Sequence, residues 1–332
     1  MKLVSIVVPV YHSAKSLPEL MERLVALADR NVEYKFEFVF VDDGSSDNSF
    51  EVLKELLSKD ERVRIVKLSR NFGSNPAIIA GLAAATGDAV AAIAADLQDS
   101  PELIHDMLAH WRDGAKVVLA VREGRDDPGL TSLLSSVFYR LFRRFAIASM
   151  PRGGFDFFLL DRQVCDLIRR IDETNTYVMG LILWLGFKPV EIPYRRGPRL
   201  AQYGRSMWSI SRRIKYFIDS FVAFSYFPIR IASVLGLVLS LLGFVYAAVV
   251  IFLRVVKGYQ PEGWASLMVV VLVVSGVQLF IMGILGEYLW RTLDVARRRP
   301  QFVVERVLGF PSRESEAAAP ATGQEPATKL KR

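Results

Sequence analysis

The chain has 332 residues and a formal net charge of +7, from 42 basic and 35 acidic side chains, and the basic ones crowd two segments that flank long apolar runs near the C-terminal end. That placement points to anionic headgroups and phosphorylated lipids as partners and away from nucleic acid. The single cysteine, Cys165, excludes an intramolecular disulfide or a multi-Cys metal site and fits a reducing compartment.

The first residues, MKLVSIVVPV, carry one Lys and an apolar stretch too short for a signal-peptide core, closed by Pro9, so no export signal is expected there. Short runs rich in Val and Ile then read as strands at Leu3 to Val10, Phe36 to Val41, Val63 to Leu68, Ala89 to Ala95 and Ala115 to Val121. Helical patterns separate them near Ser16 to Asp29, Asn48 to Ser58, Asn75 to Ala85 and Pro101 to Trp111. This alternation predicts an α/β domain with a mostly parallel sheet covered on both faces. Ligands of such sheets bind beyond the carboxyl ends of the strands, so the residues at those ends matter most.

Two strand ends carry chemistry. Phe36 to Val41 runs into Asp42-Asp43-Gly44-Ser45-Ser46-Asp47. A turn before a helix cap accounts for Gly44, Ser45, Ser46 and Asp47 on local grounds, but not for the doubled Asp. The second cluster is Asp96-Leu97-Gln98-Asp99-Ser100-Pro101. Ser100-Pro101 reads as a helix start, whereas Asp96 and Gln98 lie upstream of it, where two oxygen ligands are placed to hold a hard divalent cation against a diphosphate. Further on, Tyr194-Arg195-Arg196-Gly197-Pro198-Arg199 through Tyr203-Gly204-Arg205-Ser206 supplies forked donors suited to phosphate just before the first long apolar run. A solvated basic run near headgroups is the plainer alternative.

Two amphipathic stretches follow the same logic. Leu134, Val137, Phe138, Leu141, Phe142 and Phe145 recur at helical spacing among Arg140, Arg143 and Arg144, and Ile210, Ile214, Phe217, Phe221 and Phe224 do so among Arg212, Arg213 and Lys215. Helices of this kind lie in the headgroup plane, although an ordinary core helix shows the same apolar stripe. Ile231 to Leu253 and Trp264 to Gly286 carry no Asp, Glu, Lys or Arg and are each about 23 residues long. An α-helix needs about 20 residues to cross the hydrocarbon, so a two-helix transmembrane hairpin is expected. Arg and Lys concentrate outside the short turn, which sets the catalytic domain and both termini on the cytoplasmic side of the plasma (inner) membrane. The expected organisation is a catalytic domain over 1–205, an interfacial amphipathic helix over 206–228, the hairpin over 229–292, a cytoplasmic segment over 293–310 and a disordered tail over 311–332.

IVVPVY at 6–11, VDDGSSD at 41–47, LSRNFG at 68–73, ADLQDSPE at 95–102, GGFDFFLLDR at 153–162 and YGRSMW at 203–208, followed by the hairpin, resemble the family 2 glycosyltransferases with the GT-A (Rossmann-like) fold. Within that family the chain is similar to the polyprenyl-phosphate group, which includes dolichyl-phosphate mannose synthase and bactoprenol glucosyltransferases. The resemblance implies that Pro9, Tyr11, Asp42, Asp43 and Arg70 hold the nucleotide. It implies that Asp96 and Gln98 bind Mg²⁺ or Mn²⁺ carrying the sugar diphosphate, and that Arg196, Arg199, Arg205 and Ser206 hold the acceptor phosphate. Asp156 is placed beside the reacting sugar together with Asp96. Its role there stays open between orienting a hydroxyl or the acceptor, acting as a weak base, and capping the helix that begins near Asp161.

The family's usual Asp-x-Asp reads Ala94-Ala95-Asp96 here, and Met207 stands where Lys or Arg is usual, so Arg205 is expected to take over that contact. The first departure leaves three accounts: a natural subgroup relying on Asp96, Gln98 and Asp99, an engineered substitution, or an impaired enzyme. The implied activity is inverting, metal-assisted transfer of a hexose, glucose from UDP-glucose, to undecaprenyl or dolichyl phosphate at the cytoplasmic face. The family also suggests that protomers associate through the hairpin. A processive polysaccharide synthase and a silent lipid-phosphate-binding scaffold are the alternatives. The first would want more spans and a Gln-x-x-Arg-Trp motif, which the sequence lacks.

Overall fold

The computed structural model describes residues 1–123, 140–171, 173, 177–197, 222, 224–257 and 263–310. Among these, eight strands form one sheet: β1 (Lys2–Val10), β2 (Tyr34–Asp42), β3 (Val63–Leu68), β4 (Ala89–Ala92), β5 (Val117–Arg122), β6 (Phe157–Asp161), β7 (Val190–Tyr194) and β8 (Val304–Leu308). Their order is β7-β5-β6-β4-β1-β2-β3-β8. Strands β1 to β5 and β7 run in one direction, and β6 and β8 are antiparallel to their neighbours. The sheet is therefore the mostly parallel one that the sequence predicts, with β6 inserted between β4 and β5.

Strand β2 shows why it sits inside the sheet, between β1 and β3. Phe36, Phe38 and Phe40 enter one apolar cluster and Val39 and Val41 the other, so the period-2 alternation feeds both faces. Glu37 shares the Val face and is buried. It is tolerated because it accepts hydrogen bonds from Ser5 Oγ at 2.6 Å, Thr86 N at 2.6 Å and Thr86 Oγ1 at 2.9 Å. Helices α1 (Leu17–Arg30), α2 (Ser49–Lys59) and α4 (Leu103–Arg112) pack on the Phe face. Helices α3 (Ser74–Ala84), α5 (Arg162–Arg169) and α6 (Val178–Trp184) pack on the other. Helix α3 crosses so close to the sheet that a Cβ on Gly81 would lie 2.2 Å from Val7 Cγ1.

Two sequence expectations change here. The fourth strand ends at Ala92 and not at Ala95: Ile93 N still donates to Val7 O at 3.0 Å, but the chain then bends away, with Leu97 at φ 57°. That bend carries Asp96 and Gln98 off the sheet. The stretch over 134–145 is described only from 140 onward, and there Phe142 is fully buried, edge-on to Tyr177 and Phe224. This end of the stripe faces the protein core. Most of the stretch over 210–224 lies outside the described residues.

Helices α7 (Phe227–Lys257) and α8 (Trp264–Ala296) are 31 and 33 residues long, about 46 and 50 Å at 1.5 Å per residue. The most apolar 18-residue stretches within Phe227–Leu253 and Leu267–Ala296 have mean hydropathies of 2.7 and 2.6, and both are uncovered by protein. Hydrocarbon is the solvent that such surfaces require, and the chain is membrane-associated through them. Tyr288 Oη donates to Ser225 O at 2.8 Å, Ser225 Oγ donates to Phe145 O at 2.7 Å, and Phe145 stacks on Phe227 at 3.7 Å. After α8 the chain returns to the sheet as β8, antiparallel to β3, where Ser69 N donates to Val303 O at 2.9 Å and Lys67 pairs with Glu305 at 2.9 Å. Both joints lie at the carboxyl end of β3.

Candidate active site at the carboxyl edge of the sheet

Where β1 and β2 end side by side, Val10 is in register with Asp42, and Asp43 N donates to Val10 O at 2.9 Å. Asp42 is fully buried. Its Oδ1 accepts from Ser45 N at 3.1 Å, and its Oδ2 has no partner among the described residues. Burial raises the Asp42 pKa above the usual carboxylate value, and the hydrogen bonds from Ser45 oppose the rise. Asp43 has a different job. Its Oδ1 accepts from Phe72 N at 2.7 Å and its Oδ2 from Gly73 N at 2.9 Å, which fastens the loop after β3 to the end of β2. Burial pushes the Asp43 pKa up to about 6, against the lowering effect of those two amides. Gly44, at φ +65°, lets the turn press on the same loop; a Cβ there would meet the carbonyl carbon of Arg70 at 2.4 Å.

Pro9, Tyr11, Asp42, Asp43 and Arg70 thus share one corner of the carboxyl edge, with the Arg70 guanidinium 4.1 Å above the Phe72 ring. The sequence reading missed His12, which completes this corner. Its backbone is left-handed at φ 51°, its N donates to Ser45 Oγ at 3.2 Å, and its ring stacks on Tyr11 at 4.1 Å. Ser46 N donates to His12 Nε2 at 3.2 Å, which requires the tautomer with the proton on Nδ1.

The second corner lies where β4, β5 and β7 end and antiparallel β6 begins. Asp99 is fully buried. Tyr194 Oη donates to its Oδ1 at 2.5 Å and Arg196 Nη2 to its Oδ2 at 3.2 Å. Asp156, just before β6, pairs with Arg122 at the end of β5, and Arg196 Nη1 lies 3.7 Å from Asp156 Oδ2. Arg196 also reaches Asp96 at 3.9 Å. Gly197 N donates to Gln98 O at 2.9 Å and Gln98 Nε2 donates to Gly197 O at 3.3 Å, so the Asp96 loop and the Arg196 loop are tied together. Asp96, Gln98, Asp156 and Arg196, singled out separately in the sequence, therefore meet. Arg199, Arg205 and Ser206 lie outside the described residues.

The charges follow from that arrangement. Burial, then repulsion from Asp156, raises the Asp99 pKa to about 6, with Arg196 and Tyr194 pulling the other way. Burial also raises the Tyr194 pKa, helped by the negative charge of Asp99. For Arg122 burial works against the cation, but the Asp156 charge outweighs it and the guanidinium is held firmly protonated. Asp156 does not cap the following helix; Asp161 does, accepting from Gln163 N at 3.1 Å.

Residues 5–168 match the family described as glycosyl transferase family 2, and residues 227–291 match the GtrB C-terminal hairpin. An uncharacterized glycosyltransferase of Bacillus subtilis, YkcC, is 40% identical over 307 residues, covering 92% of this chain and 94% of that protein. The chain belongs to glycosyl transferase family 2. A prophage bactoprenol glucosyl transferase homolog of Escherichia coli is 33% identical over 92% of this chain and 99% of that one. The bactoprenol glucosyl transferase of Shigella phage SfV is 32% identical over 91% and 98%. Mannosyl-3-phosphoglycerate synthase of Rubrobacter xylanophilus superposes with a TM-score of 0.46 at 17% identity, covering 80% of this chain and 78% of its own.

Family membership sharpens what the sequence reading left out. Arg122, Tyr194 and Asp99 were passed over as neighbours of Asp156 and Arg196, although two of them announce themselves as polar residues closing the short runs Val117–Arg122 and Val190–Tyr194. Asp99, weighed as a spare metal ligand, instead serves Tyr194 and Arg196. Among the described residues no group of three or more His, Cys, Asp or Glu side chains is placed to hold a metal ion. Asp96 and Gln98 offer two side-chain oxygens to a hard cation, which would need its remaining ligands from diphosphate and water.

Proposed function

We propose that the chain transfers glucose from UDP-glucose to a polyprenyl phosphate, undecaprenyl or dolichyl, with inversion, at the cytoplasmic face of the plasma membrane. The observation that carries the proposal is the meeting of Asp96, Asp156, Arg122 and Arg196 at the sheet edge beside buried Asp42, in a chain that carries a membrane hairpin. Relatives named for bactoprenol glucosylation, aligned over nine-tenths of the chain, support the acceptor and the sugar.

The residues suit that chemistry. A phosphomonoester has a second pKa near ~6, so the acceptor is largely a dianion at neutral pH and needs no strong base. What remains is to hold two polyanions together and to stabilise charge on the leaving diphosphate. We assign Asp42, whose Oδ2 has no hydrogen-bond partner among the described residues, to accept from an N–H of the base or a ribose hydroxyl. Asp156, held by Arg122, orients a sugar hydroxyl or the incoming acceptor. Arg196, with Arg199, Arg205 and Ser206, binds the acceptor phosphate. Mg²⁺ or Mn²⁺ on Asp96 and Gln98, when bound, acts as a Lewis acid toward the diphosphate. Both termini are cytoplasmic in this reading, and protomers pair through the hairpin.

Incubating purified protein with labelled UDP-glucose, a polyprenyl phosphate and Mg²⁺ tests it. A lipid-soluble monoglycosyl product is expected; a water-insoluble polymer would indicate a processive synthase, and no turnover with any nucleotide sugar a silent scaffold.

A further inference from the structure

The guanidinium of Arg196 sits among three carboxylates, 3.1 Å from Asp99, 3.7 Å from Asp156 and 3.9 Å from Asp96. These contacts differ in kind. Asp99 is fully buried, accepts a hydrogen bond from Nη2 and is braced from behind by Tyr194 Oη. Asp96 and Asp156 lie beyond hydrogen-bond reach and only balance charge. Asp99 is thus the anchor of Arg196, and the other two are neighbours it can give up.

Asp96 is the carboxylate that the proposed function assigns to the cation carrying the diphosphate. A guanidinium and a divalent cation repel each other and compete for that oxygen; with Ala94 in place of a second Asp, the other nearby carboxylates are Asp99 and Asp156, which already face Arg196. The backbone tie between Gln98 and Gly197 means that occupation of the Asp96 loop is felt directly at Arg196.

We propose that Arg196 is the counter-cation of the empty site, that arrival of the metal-bound diphosphate on Asp96 displaces its guanidinium from the donor side, and that Asp99 retains it and presents it to the acceptor phosphate. Asp99 is then a positioning residue, and donor binding strengthens acceptor binding. The ligands' identities rest on the proposed function; the competition for Asp96 does not.

The full-length protein in detergent is titrated with Mn²⁺ in the absence of nucleotide, and free Mn²⁺ is followed by electron paramagnetic resonance. Arg196→Gln should bind Mn²⁺ about tenfold more tightly than the unaltered chain. Arg196→Lys, shorter and unforked, should fall between them and reports alone if the Gln variant does not fold. Equal or weaker Mn²⁺ binding by the variants overturns the competition. In a second arm, calorimetric binding of a short-chain polyprenyl phosphate should tighten about tenfold when UDP and Mn²⁺ are present. Asp99→Asn should lose that gain while keeping its affinity for UDP. Equal acceptor affinity with and without UDP overturns the coupling. A chain that binds no nucleotide, yet binds Mn²⁺ more tightly as Arg196→Gln, sinks the donor assignment and leaves the competition standing.

Discussion

Replacing Asp43 by Asn isolates the cost of the buried latch between β2 and the loop at Phe72 and Gly73. Burial pushes the Asp43 pKa in the folded chain up to about 6, against an ordinary carboxylate value of 3.8. A folded pKa raised above the unfolded one means that the stabilising contribution is complete below pH ~4, falls as the pH rises to about 6, and stays flat above. The span of ~2 pH units at ~1.4 kcal/mol each amounts to roughly 3 kcal/mol. Asn has no charge to desolvate but offers one acceptor oxygen where Asp offers two, so it leaves one of the two amides unpaired at a pH-independent cost of about 1–3 kcal/mol. Asp43→Asn should therefore gain roughly 3 kcal/mol relative to the unaltered chain between pH 4 and pH 7, a relative rise in melting temperature on the order of 6–12 °C. Scanning fluorimetry in detergent across that range reads it directly. Melting curves that shift in parallel for the two proteins would refute the reasoning, because they would show that the Asp43 carboxyl titrates alike folded and unfolded.

Other perturbations have equally definite outcomes. Asp156→Asn removes the charge partner of Arg122 and should cost roughly 1–3 kcal/mol of stability, below the range for fully buried pairs because Asp156 is one-third exposed; turnover should fall while UDP affinity by calorimetry holds. Gly81→Ala pushes a methyl to within 2.2 Å of Val7 Cγ1, between packed layers, and should lower stability by about 1–3 kcal/mol in thermal melts. Lys67→Ala removes a half-exposed ion pair with Glu305 and should change stability by less than about 1 kcal/mol. Chelation should abolish glucosyl transfer in the labelled assay, and added Mn²⁺ or Mg²⁺ should restore it.

The sequence was most readable where one period dominates. Strands β1, β2 and β3 are dominated by Val, Ile, Leu and Phe with only isolated polar residues between them, and their observed limits fall within two residues of those expected. The later strands were hidden for physical reasons. Val304–Leu308 has Glu305 and Arg306 side by side, lies on an exposed edge and shows no alternation, so its strand character comes from pairing with β3. Strand β6 was visible only as part of a motif, because an antiparallel strand inserted between two parallel ones leaves no local mark. In the site, residue types pointed to Asp96, Asp156 and Arg196 one at a time, but not to the long-range packing that lets one guanidinium face all three carboxylates. The doubled Asp divides its labour for a similar reason: one Asp42 oxygen has no hydrogen-bond partner among the described residues, whereas Asp43 spends both on amides some thirty residues away.

The return of the chain to β3 fixes the order in which the molecule can be made. Strand β8 emerges from the ribosome after both apolar helices, so the rim of the sheet at β3 stays open until the hairpin has been threaded into the bilayer. An open rim invites edge-to-edge association. Synthesis that outruns insertion should therefore yield aggregates seeded at Val63–Leu68, and supplying insertion capacity, more than chaperoning the soluble part, should restore yield.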